Sequence, residues 1–235
     1  MTQPRYQAIK SYLLQRIREQ TYQPGSKIPP EVQLAEQFGV SRMTVNKAIR
    51  DLVGDGMLVR FAGDGTYVAD TRAESPLLSV CSIAGEIRRR GHQYDNTVLL
   101  LRSEVVDDTI ALRLGVRVGT EVYHSMIVHR ENGVPIQLED RYLNPRWVPH
   151  YLEQDFSDIT PNEYLTQACP LSDIEHIVEA TMPDAETQRL LEISANEPCL
   201  LVHRRTWSAD RLISFARLTH PGTRYKLRSQ VHVDV

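Results

Sequence analysis

Val40-Ser41-Arg42-Met43-Thr44-Val45-Asn46-Lys47-Ala48-Ile49-Arg50 is the stretch on which the reading of the fold turns. Ser41 has the side chain of a helix N-cap, able to accept a hydrogen bond from an otherwise orphaned amide. Beyond it Val45, Ala48, Ile49, Leu52 and Val53 recur at helical spacing and form one apolar stripe. Arg42, Asn46 and Arg50 stand at i, i+4 and i+8, so they share the polar side, with Met43 and Lys47 beside them. Arginine can meet guanine O6 and N7 with two bonds, asparagine can meet adenine N6 and N7, and lysine suits phosphate. The same residue types also make an ordinary solvated helix face. The flanking segments decide between the two.

Upstream, Tyr6, Ile9, Leu13 and Ile17 predict a first helix over residues 5–20. Pro24-Gly25 marks a turn, Pro30 suits the first position of a second helix carrying Leu34, Ala35 and Phe38 inward, and Gly39 ends it. Downstream, residues 54–56 stop the third helix, and residues 58–61 and 66–68 read as a short hairpin around Gly63-Asp64-Gly65. Helix, turn, helix and hairpin in that order make a winged helix-turn-helix over residues 1–70, its third helix fit for the major groove and its wing for phosphates or the minor groove.

Residues 71–76 are polar, lack periodicity and end in proline, which predicts a linker. Residues 77–235 then change character. A short helix at 83–90 precedes segments rich in Val, Ile, Leu and Tyr at 97–106, 121–131, 134–143, 174–182, 199–208, 212–220 and 224–234, which read as strands. Helical insertions fit residues 107–114, 161–168 and 184–193. Asn132-Gly133 is a hairpin turn, and long strands with short connections predict an antiparallel sheet with helices packed on it. The class is α+β.

With 235 residues and 41% apolar composition, the chain can form two modest cores. Its net charge of −3 hides an asymmetry: residues 1–70 carry nine Lys/Arg against seven Asp/Glu, and residues 71–235 eighteen against twenty-three. No signal peptide or membrane-length apolar run is present, so a cytoplasmic protein without membrane association is expected. Cys81, Cys169 and Cys199 are widely spaced and form no C-x-x-C pair, which predicts reduced thiols. His124 and His129 are five apart, on opposite faces of a strand, so they share no metal. Neither a metal nor a cofactor is expected. Glu86, Arg88, Arg89 and Arg90 read as a solvated helix face.

Residues 27–68 resemble the DNA-binding domain of GntR-type bacterial regulators. The likeness is carried by Lys27-Ile28-Pro29-Pro30-Glu31, Leu34-Ala35, Phe38, Val40 to Val45, Ala48-Ile49, Leu52, Gly56 to Arg60 and Gly63 to Val68. It implies DNA contacts from Ser41, Arg42, Thr44, Asn46, Lys47 and Arg50, with Gly65 and Thr66 on the wing. Pro30 and Val32 depart from the family, which usually has serine and often a DNA-contacting arginine there. Double-stranded operator DNA is the implied partner, bound by a homodimer, since a single recognition helix reads few base pairs.

Residues 77–235 resemble the UTRA effector domain, which is similar in fold to chorismate lyase. Supporting segments are Ile83 to Ile87, Arg90-Gly91-His92, Ile127 to Tyr142, Thr160 to Leu165 and Ala216 to Gly222. Within this class the chain is most similar to histidine-utilisation repressors, through His129, the Gln137-Leu138-Glu139-Asp140 run and the Leu218 to Gly222 run. The resemblance implies a small-molecule effector, urocanate, and a site near Ile83, Ala84, His129, Glu139, Thr160, Asn162, Ser214 and His220. Ser82 can cap the helix at Ile83, whose free amides suit a carboxylate. Other members show two arginines on the strand that here carries Ile127 and His129, so a smaller, less charged ligand is expected. Each residue also has a plainer reading: His129 as a core histidine, Glu139 as an ion-pair partner of Arg141.

Three functions compete. A repressor released by its effector is favoured, for histidine utilisation or for another catabolic pathway. A lyase-like enzyme would use Glu139, His129 and Ser214, but no nucleophile elbow, phosphate loop or metal motif supports it, and fold likeness does not transmit activity. A DNA-bridging protein would show no ligand response.

Overall fold

Ser41 does cap the third helix: its Oγ accepts from the Thr44 amide, 3.3 Å away. The computed structural model describes residues 5–61, 63–70, 72–76 and 82–228. The chain divides into two compact units, residues 1–71 and 72–235.

In the first unit α1 (Arg5–Arg18), α2 (Glu31–Phe38) and α3 (Arg42–Gly54) precede the antiparallel hairpin β1 (Leu58–Phe61) and β2 (Gly65–Val68). Gly39 closes α2 in the left-handed region at φ 60°, where a Cβ would be strained. Pro30 stands at the N-cap rather than inside the helix, a shift of one position. Ile9, Leu13, Leu34, Val45, Ile49, Leu52 and Leu58 form one buried core that fixes α3 against the other helices and the wing.

In the second unit β4 (Tyr94–Val105), β5 (Glu121–Glu131), β6 (Val134–Leu143), β7 (Asp173–Thr181), β8 (Cys199–Ser208) and β9 (Arg211–Pro221) form one sheet in the order β4-β5-β6-β9-β8-β7. Every neighbouring pair is antiparallel. Asn132 and Gly133, at φ 52° and 78°, make the β5–β6 turn. β4 starts before the predicted strand because Tyr94, Asp95 and Asn96, polar though two of them are, pair with residues 129–131.

Helices cover both faces of the sheet. On one face lie α5 (Asp108–Leu114), through Ile110 and Leu114 packed with Val122, Tyr142 and Phe215, and α7 (Ala185–Leu191), through Leu191 packed with Val128 and Leu138. The other face carries Ile127, Leu143 and Ile213, packed against Val148, Tyr151, Phe156 and, from α6 (Pro161–Ala168), Leu165. Covered on both sides, β6 is buried from Pro135 to Leu143, including Glu139, Asp140 and Arg141.

Two expectations need correction. The linker placed at 71–76 contains a strand, β3 (Ala73–Pro76), which pairs in parallel with β10 (Tyr225–Arg228). Its polar sequence hid this because the partner strand lies far along the chain. Glu86 is not on a solvated face: α4 (Ile83–Arg89) buries it together with Ile83, Ala84 and Ile87. Of the cysteines, Cys169 and Cys199 are free and buried, while Cys81 lies outside the described residues, as do the predicted strand residues 229–234.

Candidate functional site

The first unit presents one polar face. Met43 and Arg42 are exposed at the start of α3, and Lys47 and Arg50 follow on the same side. Thr44 and Ser41 bond to each other at the cap, 3.0 Å apart. Lys47 lies over the Tyr6 ring at 4.1 Å. Asn46 donates to Glu31 Oε1 at 2.9 Å, and Arg60 from the wing pairs with the same oxygen. Arg42 stands 4.0 Å from the other oxygen of Glu31. One carboxylate thus ties the recognition helix to the hairpin. Sequence reasoning missed Glu31 and Arg60 in this role, since both are unremarkable until the hairpin folds back.

On the wing, Lys27 pairs with Asp64 at 2.9 Å, and its side chain fills the space where a Cβ on Gly65 would fall. Thr66 is buried and its carbonyl accepts from the Ile28 amide, so the outward part of the wing is Gly63 to Gly65. A groove lined by Arg42, Asn46, Arg60, Gly65 and Thr66 runs between helix and hairpin.

In the second unit a cavity opens on the sheet face opposite α5 and α7. Its volume is about 30 Å³, well below the roughly 300–1,000 Å³ usual for small-molecule sites, so a ligand has to push the lining side chains apart to enter. Ile83 and Glu86 line it from α4, Gln137 and Glu139 from β6, Thr160 and Asn162 from the start of α6, and His220 from β9. The remaining polar lining is His176, Arg204 and Tyr225.

Behind the lining runs a chain of buried polar groups. Tyr94 Oη and His129 Nδ1 are 2.9 Å apart. His129 Nε2 is 3.3 Å from Glu139 Oε2, close but without a directed hydrogen bond. Arg141 Nε donates to Glu139 Oε1 at 2.6 Å, and Arg141 Nη1 to Ser214 Oγ at 3.0 Å. Burial alone would raise the Glu139 pKa, but the Arg141 guanidinium and His129 outweigh it and hold it at about 2. His220 is the reverse case. Burial pushes it down to about 3, so it is a neutral ring that donates from Nδ1 to the Ile136 carbonyl, takes Gln137 on Nε2 and stacks on Tyr225 at 3.8 Å.

The structure therefore brings Ile83, Glu139, Thr160, Asn162 and His220 to one cavity. His129 and Ser214 stand behind it as supports of Glu139 and Arg141, and Ala84 is buried in α4 without lining it. Ser82 caps α4 as expected, accepting from the Gly85 amide at 2.9 Å; it also donates to Glu163, so the chain's own carboxylate already stands there. Glu86, Gln137, His176, Arg204 and Tyr225 were not foreseen as lining. The alternation of Gln137 with Glu139 was the one available signal.

Comparison with known proteins agrees with this architecture. Residues 5–68 match the model for bacterial regulatory proteins of the gntR family, and residues 89–226 match the UTRA domain. The chain is 46% identical over 227 residues to the "Histidine utilization repressor" of Pseudomonas putida, covering 97% of this chain and 92% of that one. It is likewise 46% identical to the protein of that name from Klebsiella aerogenes, over 97% of this chain and 94% of that one. The solved C-terminal domain of the histidine utilization repressor from Pseudomonas syringae pv. tomato is 45% identical, with a TM-score of 0.58 over 60% of this chain and all of that one. PhnF from Mycobacterium smegmatis matches at 26% identity and a TM-score of 0.67, over 96% of this chain and all of that one. Relatives named as repressors point to a regulator rather than an enzyme. Among the described residues no helix is long and apolar enough to cross a membrane. The chain belongs to the GntR family of bacterial transcription regulators and carries a UTRA domain.

Proposed function

We propose that this protein represses histidine-utilisation genes in the cytoplasm, binding a pseudo-palindromic operator as a homodimer and leaving it when a small imidazole carboxylate such as urocanate enters the cavity. The observation that carries the reading is identity of 46% along 97% of the chain with a histidine utilization repressor. The cavity supports it. Glu139 and Glu86 offer acceptors for an imidazole N–H, while Gln137, Thr160, Asn162 and His220 offer further polar partners. Operator contacts are assigned to Ser41, Arg42, Thr44, Asn46, Lys47 and Arg50, with Gly65 and Thr66 on the wing. A homodimer accounts for two-fold sites and for the short reach of α3.

The test is calorimetry with urocanate, followed by operator binding with and without it, at fixed salt. Saturable urocanate binding without turnover and weakened operator affinity are expected. No binding at millimolar urocanate to the folded protein would refute the effector. Light scattering at micromolar concentration checks the dimer.

A further inference from the structure

Arg204 lies on β8 in a row that crosses four strands: Arg141 on β6, Ala216 on β9, Arg204, then His176 on β7. Ala216, fully buried and with no side chain beyond Cβ, separates two positions that carry guanidinium groups. The two are not equivalent. Arg141 is matched by Glu139 at 2.6 Å. The hydrogen bond of Arg204 among the described residues runs from its Nε to His176 Nε2 at 2.7 Å. An arginine always donates, so that imidazole nitrogen accepts and the ring is neutral. Arg204 thus has a half-buried positive charge facing the cavity with no carboxylate in direct contact, an arrangement that an arriving anion would relieve.

Burial, then the charge of Arg141, lowers the Arg204 pKa, and Glu139 and Glu86 only partly offset them. Arg141 Nη2 is also buried without a partner. The start of α4 is a poorer anion site, because Glu163 occupies it through Ser82.

We propose that Arg204 is the specificity-determining residue of the cavity: it takes the acid group of the effector, so the ligand class is a small organic acid lying with its acid end towards β8. This rests on the cavity being the effector site.

The experiment titrates the full-length protein with urocanate and with its neutral amide, in wild type, Arg204→Gln and Arg204→Lys. A charge-assisted hydrogen bond predicts that wild type prefers the acid about 10–100-fold. Arg204→Gln should lose about that factor for urocanate while the amide changes by less than about three-fold, and Arg204→Lys should keep part of the preference. A wild type that binds acid and amide equally overturns the assignment without any variant, so a misfolded Arg204→Gln leaves it testable. If folded Arg204→Gln keeps wild-type urocanate affinity, the Arg204 assignment fails while the effector reading stands. If wild type binds neither ligand, both fail.

Discussion

Replacing Glu139 by Gln tests whether the buried charge chain holds the second unit together. The fall of its pKa from the ordinary 4.5 to about 2 corresponds to about 3 kcal/mol, at roughly 1.4 kcal/mol per tenfold change in proton affinity. The folded value is depressed, so this stabilisation is present above pH 4.5 and is lost as the pH falls towards 2. Glu139→Gln removes it and leaves the fully buried Arg141 without its carboxylate, which costs about 3–5 kcal/mol. Both tryptophans, Trp147 and Trp207, lie in the second unit, so urea unfolding followed by their fluorescence reports on it alone. The variant should unfold at clearly lower urea at pH 7 and show a flatter stability profile between pH 5 and 3. Asp155 and Asp184, whose pKa values are also depressed by local hydrogen bonds, are common to both proteins and cancel. A variant within about 1 kcal/mol of wild type, with an unchanged acid slope, would refute the reasoning. Adding Arg141→Met should recover part of the loss, because a neutral buried site avoids an unpaired charge.

Arg42→Ala should weaken operator binding by about 1–3 kcal/mol at moderate salt, the worth of a bidentate base contact; unchanged affinity in a filter or anisotropy assay removes Arg42 from the readout. On the opposite sheet face, burial disfavours a charged His124, but Asp140 and Glu104 on either side prevail and raise its pKa above 6.5, with Tyr142 stacked on the ring and Arg217 completing the group through Asp140. The resulting stabilisation is present below pH 6.5 and lost as the pH rises through the folded value, so His124→Gln should flatten the alkaline limb of the same unfolding profile, and an unaltered limb would exclude the residue. Saturating urocanate should slow amide exchange at residues 73–75, because β3 pairs with β10, whose Tyr225 and Leu227 line the cavity. Unchanged exchange while urocanate weakens operator binding would place the coupling elsewhere.

The recognition helix was legible because its signals are local. Ser41 is a cap within hydrogen-bond reach, Gly39 sits where only a left-handed residue fits, and Arg42, Asn46 and Arg50 share a face by period alone. The sheet strands were legible for the same reason. On β6 the strand itself was legible, but the partners of Gln137, Asp140 and Arg141, namely His220, Arg217 and Ser214 on β9 and His124 on β5, come from other strands. Arg204 and His176 belong to no motif and meet only through the β7–β8 register. Glu86 was hidden by Arg88, Arg89 and Arg90 next to it, three cations that do face out or reach Glu163 and Glu131. Long-range pairing, not composition, decided each of these cases.

That pairing also limits how the cavity can act on the rest of the chain. A ligand shifts DNA affinity only by the difference in its affinity for two arrangements of the protein, so some cavity element must be able to differ between them. The β6 side is a poor candidate, since Glu139 and Arg141 are fully buried in the centre of the sheet and bonded to each other. β10 lies outside that sheet, in a two-stranded pair with β3. Tyr225 joins the two settings: its ring stacks on His220, its hydroxyl donates to Glu86, and its backbone is in register with Ala73. Ala73 begins the strand two residues after the first unit ends. Tyr225 and Leu227 line the same cavity as Arg204, and β10, which carries both, pairs with β3. The strand concealed in the supposed linker is thus the element best placed to carry the signal.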